Sequence, residues 1–212
     1  MQDIRSEILA SERATALATA RFDHGFEQAK ASLSVIARDD IYISVAGISL
    51  QPRGSSYQHL LESNSVSVMQ EFHGEYPGVL LLLMEPHHCT QIINSCVRDG
   101  IGSDIVSEVD NDTVCELGNI ILNCTLRTIS ILTGNRLHCS QPRRPTLECI
   151  KKGFSESGVY QSDIFAIDIN YCGGGNDIAF SVPLSMKLHL GDNAHLKRWE
   201  NMAYQSIETR QL

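Results

Sequence analysis

Four residues combine chemical character with strict spacing: Asp112, Glu116, Asn119 and Pro142, in the order Asp-x3-Glu-x2-Asn-x22-Pro. The first three follow an i, i+4, i+7 rhythm, which on an α-helix places their side chains on one stripe. At about 100° per residue the same stripe runs on through Asn123 and Arg127. A helix with these residues presents a carboxylate and a carboxamide outward, side by side and one turn apart.

The element that must position them is legible in the remaining residues. Leu117, Ile121, Leu122, Cys124, Ile129 and Leu132 occupy the opposite side of the same helix, an apolar face suited to a core. Any Glu-x2-Asn pair can simply be a solvated helix face. The proline spacing and an internal repeat argue against that here. Asp112 has the further option of capping the helix, and Pro142 reads as shaping the loop after a strand.

Shifting the motif back by 89 residues gives Asp23-His-Gly-Phe-Glu27-Gln-Ala-Lys30, with Ser34 and Arg38 continuing the stripe. Its opposite face offers Phe26, Leu33, Val35 and Ile36, and Pro52 follows one residue short of the matching position. Lysine stands where asparagine should be, and it cannot accept a hydrogen bond from water. Glu27 and Lys30 read equally well as an i, i+3 surface ion pair.

Downstream order repeats too. Each helix precedes a strand candidate (Ile43–Leu50, Arg136–Gln141) and a short helix candidate (Tyr57–Glu62, Leu147–Phe154). A hairpin follows in each half, Val66–Phe72 with Val79–Met84, and Ile164–Tyr171 with Ile178–Val182. The expected fold is α+β and pseudo-two-fold: two helix-strand-helix-hairpin repeats, about 20–107 and about 108–200, in one domain spanning 1–212. The amphipathic stretch from Ile8 to Ala20 either extends the first helix or mediates self-association as a homodimer.

The composition, 42% hydrophobic and 20% charged, is that of a soluble globular chain long enough for a sizeable core. A net charge of −8, with no basic cluster larger than Arg143-Arg144, disfavours nucleic acid and anionic membrane surfaces. No secretory signal is read at the start, and Val79–Met84, the longest apolar run, is a buried strand too short to span a bilayer. Seven cysteines without a Cys-x2-Cys pair suggest a reduced, cytoplasmic setting. His87-His88-Cys89 lacks a second metal-ligand pair and reads as a strand exit or loop; Gly173-Gly174-Gly175 reads as a hairpin turn. No metal site is expected.

The pattern Asp/Ser-x3-Glu-x2-Asn-x22-Pro resembles the signature of the CheC, CheX and FliY phosphatases of bacterial chemotaxis, over roughly residues 20–190. The resemblance implies a pseudo-two-fold CheC-like fold, with two long helices packed on a mainly antiparallel sheet. It also implies hydrolysis of the aspartyl phosphate of a CheY-like response regulator, with Asn119 positioning the water and Glu116 reaching the regulator's lysine. Asp112 and Pro142 would support the site, and Asp23, Glu27 and Lys30 would form a degenerate second one. The divalent metal, such as Mg, would come with the regulator and not from this chain. The alternative is a non-catalytic module that docks a response regulator or a CheD-type deamidase. Two departures leave CheC and CheX both open. One site is intact where CheC proteins generally carry two, and the bulky run Ile120-Ile-Leu-Asn-Cys-Thr replaces the usual glycine- and alanine-rich one.

Overall fold

The computed structural model describes residues 12–37, 40–51, 66–74, 77–96, 108–146, 148–150, 164–173 and 180–190. The apolar periods at 3.6 residues become two long helices, α1 (Glu12–Ala37) and α3 (Glu108–Thr133), with a shorter α2 (Pro86–Cys96) between them in the chain. The strands are β1 (Tyr42–Gln51), β2 (Val66–His73), β3 (Gly78–Met84), β4 (His138–Cys139), β5 (Ile164–Gly173) and β6 (Phe180–Leu190). They form one sheet in the order β1-β5-β6-β3-β2-β4, and its strand pairings are antiparallel.

That order carries the pseudo-two-fold symmetry. Exchanging β1 with β4, β2 with β5 and β3 with β6 returns the same sequence of strands read from the other edge. The leading strand of each half pairs with the hairpin of the other: β1 joins β5, β4 joins β2, and β3 meets β6 at the centre. The expected α+β architecture is therefore present, with its halves interleaved.

Helix α1 buries Phe22, Phe26, Ala29, Leu33 and Ala37, and α3 buries Val114, Leu117, Ile121, Leu122 and Ile129. Both faces enter one core with the alternating residues Val66, Val68 and Phe72 of β2 and Leu80, Leu82 and Met84 of β3. The intervening Met69, Val79, Leu81 and Leu83 form a second cluster with Ile150. Strand β3 is thus buried on both faces, which explains its unbroken apolar run. Full burial of each such side chain contributes about 1.5–3 kcal/mol.

Several expectations need correction. Val35 and Ile36 are exposed, at 78% and 37%, because the buried stripe of α1 keeps to Ala29, Leu33 and Ala37 and leaves their bearing on the helix wheel. His87-His88-Cys89 lies in α2, not in a loop: Pro86 supplies a preorganised first helical residue, and Cys89 N–H donates to Glu85 O at 2.9 Å. Asp112 falls inside α3, one turn after its start, so it is no N-cap. Only His138–Cys139 of the Arg136–Gln141 candidate is strand. Ile178 lies outside the described residues, and strand β6, Phe180–Leu190, runs well past Val182, through Pro183. The β3 ladder ends at Leu83↔Ser185, so Pro183 is flanked by β5 alone, where a missing donor is tolerated.

Of the stretch from Ile8 to Ala20, residues 12–20 belong to α1 and residues 8–11 lie outside the described residues. Arg38, Pro52, Tyr57–Glu62 and the turn after Gly173 lie outside the described residues, as does most of Leu147–Phe154, of which 148–150 are helical. Among the described residues, no helix is long and apolar enough to cross a membrane.

Candidate functional site

Helix α3 approaches β2 closely at Gly118. A Cβ there would lie 2.8 Å from Val68 Cγ1 and 2.9 Å from Val68 Cβ, closer than real contacts allow. The glycine sits between Glu116 and Asn119, so the two polar side chains ride on the turn nearest the strand. They border a cleft of about 480 Å³ between α3 and the segment Cys139–Pro142, with the buried Gln70 of β2 also lining it. The structure therefore brings Glu116, Asn119 and Pro142 together. Asp112, exposed one turn before Glu116, is not in the lining.

Pro142 has a definite place in that wall. Phe72 pairs with Cys139, and Met69 bridges to Arg143. β2 thus advances three residues while its partner advances four, a bulge across Ser140–Pro142. Proline suits the bulge because it has no N–H to satisfy. Ser140 N–H still donates to Glu71 O at 2.9 Å, yet Glu71 N–H donates to the Ser140 hydroxyl, at 3.0 Å. The hydroxyl replaces the carbonyl in the ladder and leaves Ser140 O for the Gln70 side chain, whose Nε2 donates to it at 3.0 Å.

The same Gln70 Nε2 donates to Asn123 Oδ1 at 3.1 Å, and Asn123 Nδ2 donates to Asn119 Oδ1 at 2.6 Å. Asn119 is consequently held at its oxygen with one lone pair to spare. Glu116 is exposed and free to project from the rim. Cys115 also lines the cleft, but burial pushes its thiol pKa up, and the opposing effect of Arg144 is smaller. It carries little thiolate at neutral pH and is a poor nucleophile.

The first stripe is arranged differently. Asp23 Oδ1 accepts from Val45 N–H at 2.7 Å, beside the register shift between Val45 and Gly47. Lys30 Nζ lies 4.0 Å from Glu27 Oε2 and 4.8 Å from the centroid of the Tyr42 ring. Ser34 Oγ accepts from Ile41 N–H at 3.0 Å. Arg127 Nη1 of the second stripe donates to Gln28 Oε1 of α1, tying the two helices together.

Gln70 and Ser140 were absent from the sequence-derived site. A signal for Gln70 existed: it occupies the inward register of Val66-x-Val68-x-Gln70-x-Phe72, and a polar side chain at a core position needs partners. Ser140 offered no such signal, because the bulge depends on pairing with β2.

Among the described residues, Glu85, His87 and His88 are the His, Cys, Asp or Glu groups whose possible ligand atoms converge, within 4.8 Å of one another. None of them lines the cleft, and the first turn of α2 is the end of a helix dipole that opposes a cation. His87 Nδ1 is 3.3 Å from Glu85 Oε2, while burial and the neighbouring His87 lower the His88 pKa. Among the described residues the cleft offers carboxamides, thiols, the Ser140 hydroxyl and one exposed carboxylate, a poor donor set for a hard divalent ion.

No protein-family model and no curated protein sequence matches the chain. Solved structures do match. FliY from Thermotoga maritima is similar at a TM-score of 0.68 and 12% identity, over 93% of this chain and 98% of that one. The FliM middle domain from H. pylori follows at 0.57 and 9%, over 91% and 99%. A chain of the FliG–FliM complex from H. pylori gives 0.57 and 12%, over 85% and 94%. The fold is that of the CheC/CheX/FliY family, as the resemblance carried by the α3 stripe implies.

Proposed function

We propose that the chain is a phosphatase for the aspartyl phosphate of a CheY-like response regulator. One observation carries this reading: Glu116 and Asn119 stand together at the rim of a cleft whose other wall holds Pro142, on the fold that the motif implies. The docked regulator would bring its acyl phosphate and its own divalent ion, which neutralises phosphoryl charge. Glu116, exposed at the rim, pairs with a cation on the regulator and sets register. Asn119 uses the spare lone pair of Oδ1 to hold a water in line with the phosphorus.

The water oxygen forms the new P–O bond as the acyl P–O bond breaks, releasing the regulator's carboxylate and inorganic phosphate, with the proton passing to phosphate or solvent. A carboxamide cannot remove that proton at neutral pH, so its role is orientational. The α1 stripe has lysine in the asparagine position, and Asp23 is committed to the Val45 amide. We read that half as catalytically silent.

Removing one preorganised polar contact to a transition state typically lowers rate by about a hundred- to a thousandfold. Asn119→Ala should lose stimulated dephosphorylation to that extent while keeping wild-type unfolding behaviour. Full activity in this variant would overturn the assignment. A docking module without turnover is favoured by the likeness to FliM, solved in complex with FliG. Binding of the phosphorylated regulator without accelerated decay would select it.

A further inference from the structure

We propose that Gln70 and Asn123 are positioning residues that lock the Asn119 carboxamide in one orientation and so fix the bearing of the remaining Oδ1 lone pair, with their own polarity set by the Ser140 carbonyl. The kinetic half of this proposal rests on the phosphatase reading above; the structural half does not.

The relay starts at a group with no choice of polarity. A backbone carbonyl can only accept, so the end of Gln70 that faces Ser140 O at 3.0 Å must be its NH2. The same NH2 faces Asn123 at 3.1 Å, so that end of Asn123 must be the oxygen. The amide nitrogen of Asn123 is then turned to Asn119, which must present its own oxygen, at 2.6 Å. Carboxamide ends are ordinarily assigned from such partners. Here one carbonyl dictates three of them in series.

That carbonyl is available because the bulge at Ser140–Pro142 takes it out of the ladder, with the Ser140 hydroxyl standing in for it against Glu71 N–H. The relay thereby links Pro142 to Asn119, two parts of one motif separated by twenty-two residues in sequence.

An asparagine carboxamide turns about a broad, roughly two-fold torsion, and its two ends are nearly the same size. Left alone, Asn119 would offer nitrogen as readily as oxygen. With Asn123 holding Oδ1, the nitrogen becomes the free donor and the remaining lone pair keeps a fixed bearing. Donation along a chain of amides also polarises each successive member. Gln70 is 2% exposed, and its Oε1 has no partner among the described residues. A glutamine kept only to fill space would be better replaced by leucine, which leaves no orphaned acceptor. In α1 the corresponding positions hold Lys30 and Ser34, and Ser34 caps Ile41 instead.

The test uses the full chain and a CheY-like regulator from the same genome, phosphorylated with acetyl phosphate. The side-chain 1H–15N resonances of Asn119 are identified by their loss in Asn119→Ala. In Asn123→Ala, at an exposed helix position, these resonances should move, and kcat should fall about tenfold with KM unchanged. Asn123→Asp is the sharper variant. It preserves size, but a carboxylate cannot donate to Asn119 Oδ1, so the Asn119 amide should turn its nitrogen towards position 123, swinging Oδ1 off the bearing at which it holds the water, and kcat should fall at least as far.

A packing role would leave Asn123→Asp near wild type. Gln70→Leu should reproduce the Asn123→Ala shift if it folds. Unmoved Asn119 resonances in Asn123→Ala, or wild-type kcat in Asn123→Asp, overturn the proposal. Responsive resonances in a protein with no turnover would uphold the relay and sink the phosphatase reading.

Discussion

Replacing Gly118 by alanine asks whether α3 is held against β2 at the site. On an open helix face this exchange stabilises by about 0.8–1 kcal/mol, because alanine loses less backbone entropy. Here the new methyl would sit 2.8, 2.9 and 3.0 Å from Cγ1, Cβ and Cγ2 of Val68. Carbon atoms settle at about 3.5–4.0 Å, so helix and strand must part by most of an ångström. Val68 is fully buried and its Cβ is fixed to the strand, so no rotamer change relieves the clash.

Overpacking of this kind costs about 1–3 kcal/mol. Parting the elements also stretches the 3.1 Å bond from Gln70 to Asn123, and a buried polar group stripped of its partner costs about 1–3 kcal/mol more. The two penalties outweigh the propensity gain, for a net loss of about 1–5 kcal/mol. For a chain of this size each kcal/mol lowers Tm by about 2–4 °C. Urea and thermal unfolding of Gly118→Ala measure the loss directly. Adding Val68→Ala removes Cγ1 and Cγ2 and relieves that part of the clash while Cβ stays, so the double variant should lose less than the sum of its parts. A Tm for Gly118→Ala above wild type would refute the reasoning.

Other tests follow from the same contacts. Asp23→Ala strips the Val45 amide of its acceptor and should cost about 1–3 kcal/mol by urea unfolding, with stimulated dephosphorylation retained; a large loss of turnover at unchanged stability would restore a catalytic role to that half. Burial holds the Cys124 thiol above its ordinary pKa, so the unfolded chain ionises it first. That contribution is whole below the unfolded pKa, about 8.5, and drains as pH rises through the folded value. Urea midpoints should therefore fall more steeply above pH 8.5 for wild type than for Cys124→Ala, and equal slopes would remove Cys124 as the cause.

Much of the fold was readable because its signals are local. The i, i+4, i+7 stripe with its apolar reverse face made α3, and turn residues between apolar runs placed both hairpins. The repeat with a period of 89 anticipated the symmetry that the sheet order carries. Errors arose where a neighbour in space decides. The sequence offers Val35 and Ile36 to the core as readily as Leu33, and packing of α1 on α3 and β1 leaves them outside. His87 and His88 look like loop residues until Pro86 is seen to start a helix whose Cys89, Ile92 and Ile93 are buried.

For the site the division is sharper. Residue types and intervals determined which helix face carries Glu116 and Asn119, since side-chain bearing along a helix is a matter of counting. They also marked Pro142 as belonging with that pair. Why it belongs is a tertiary matter. Only the pairing of the Ser140–Pro142 bulge with β2 frees the Ser140 carbonyl, and only the close approach at Gly118 lets Gln70 carry that polarity across to Asn123 and Asn119. Hydrogen-bond direction is set by the partner a group meets in space, and residues 70, 119 and 140 meet only once the sheet and helix have packed.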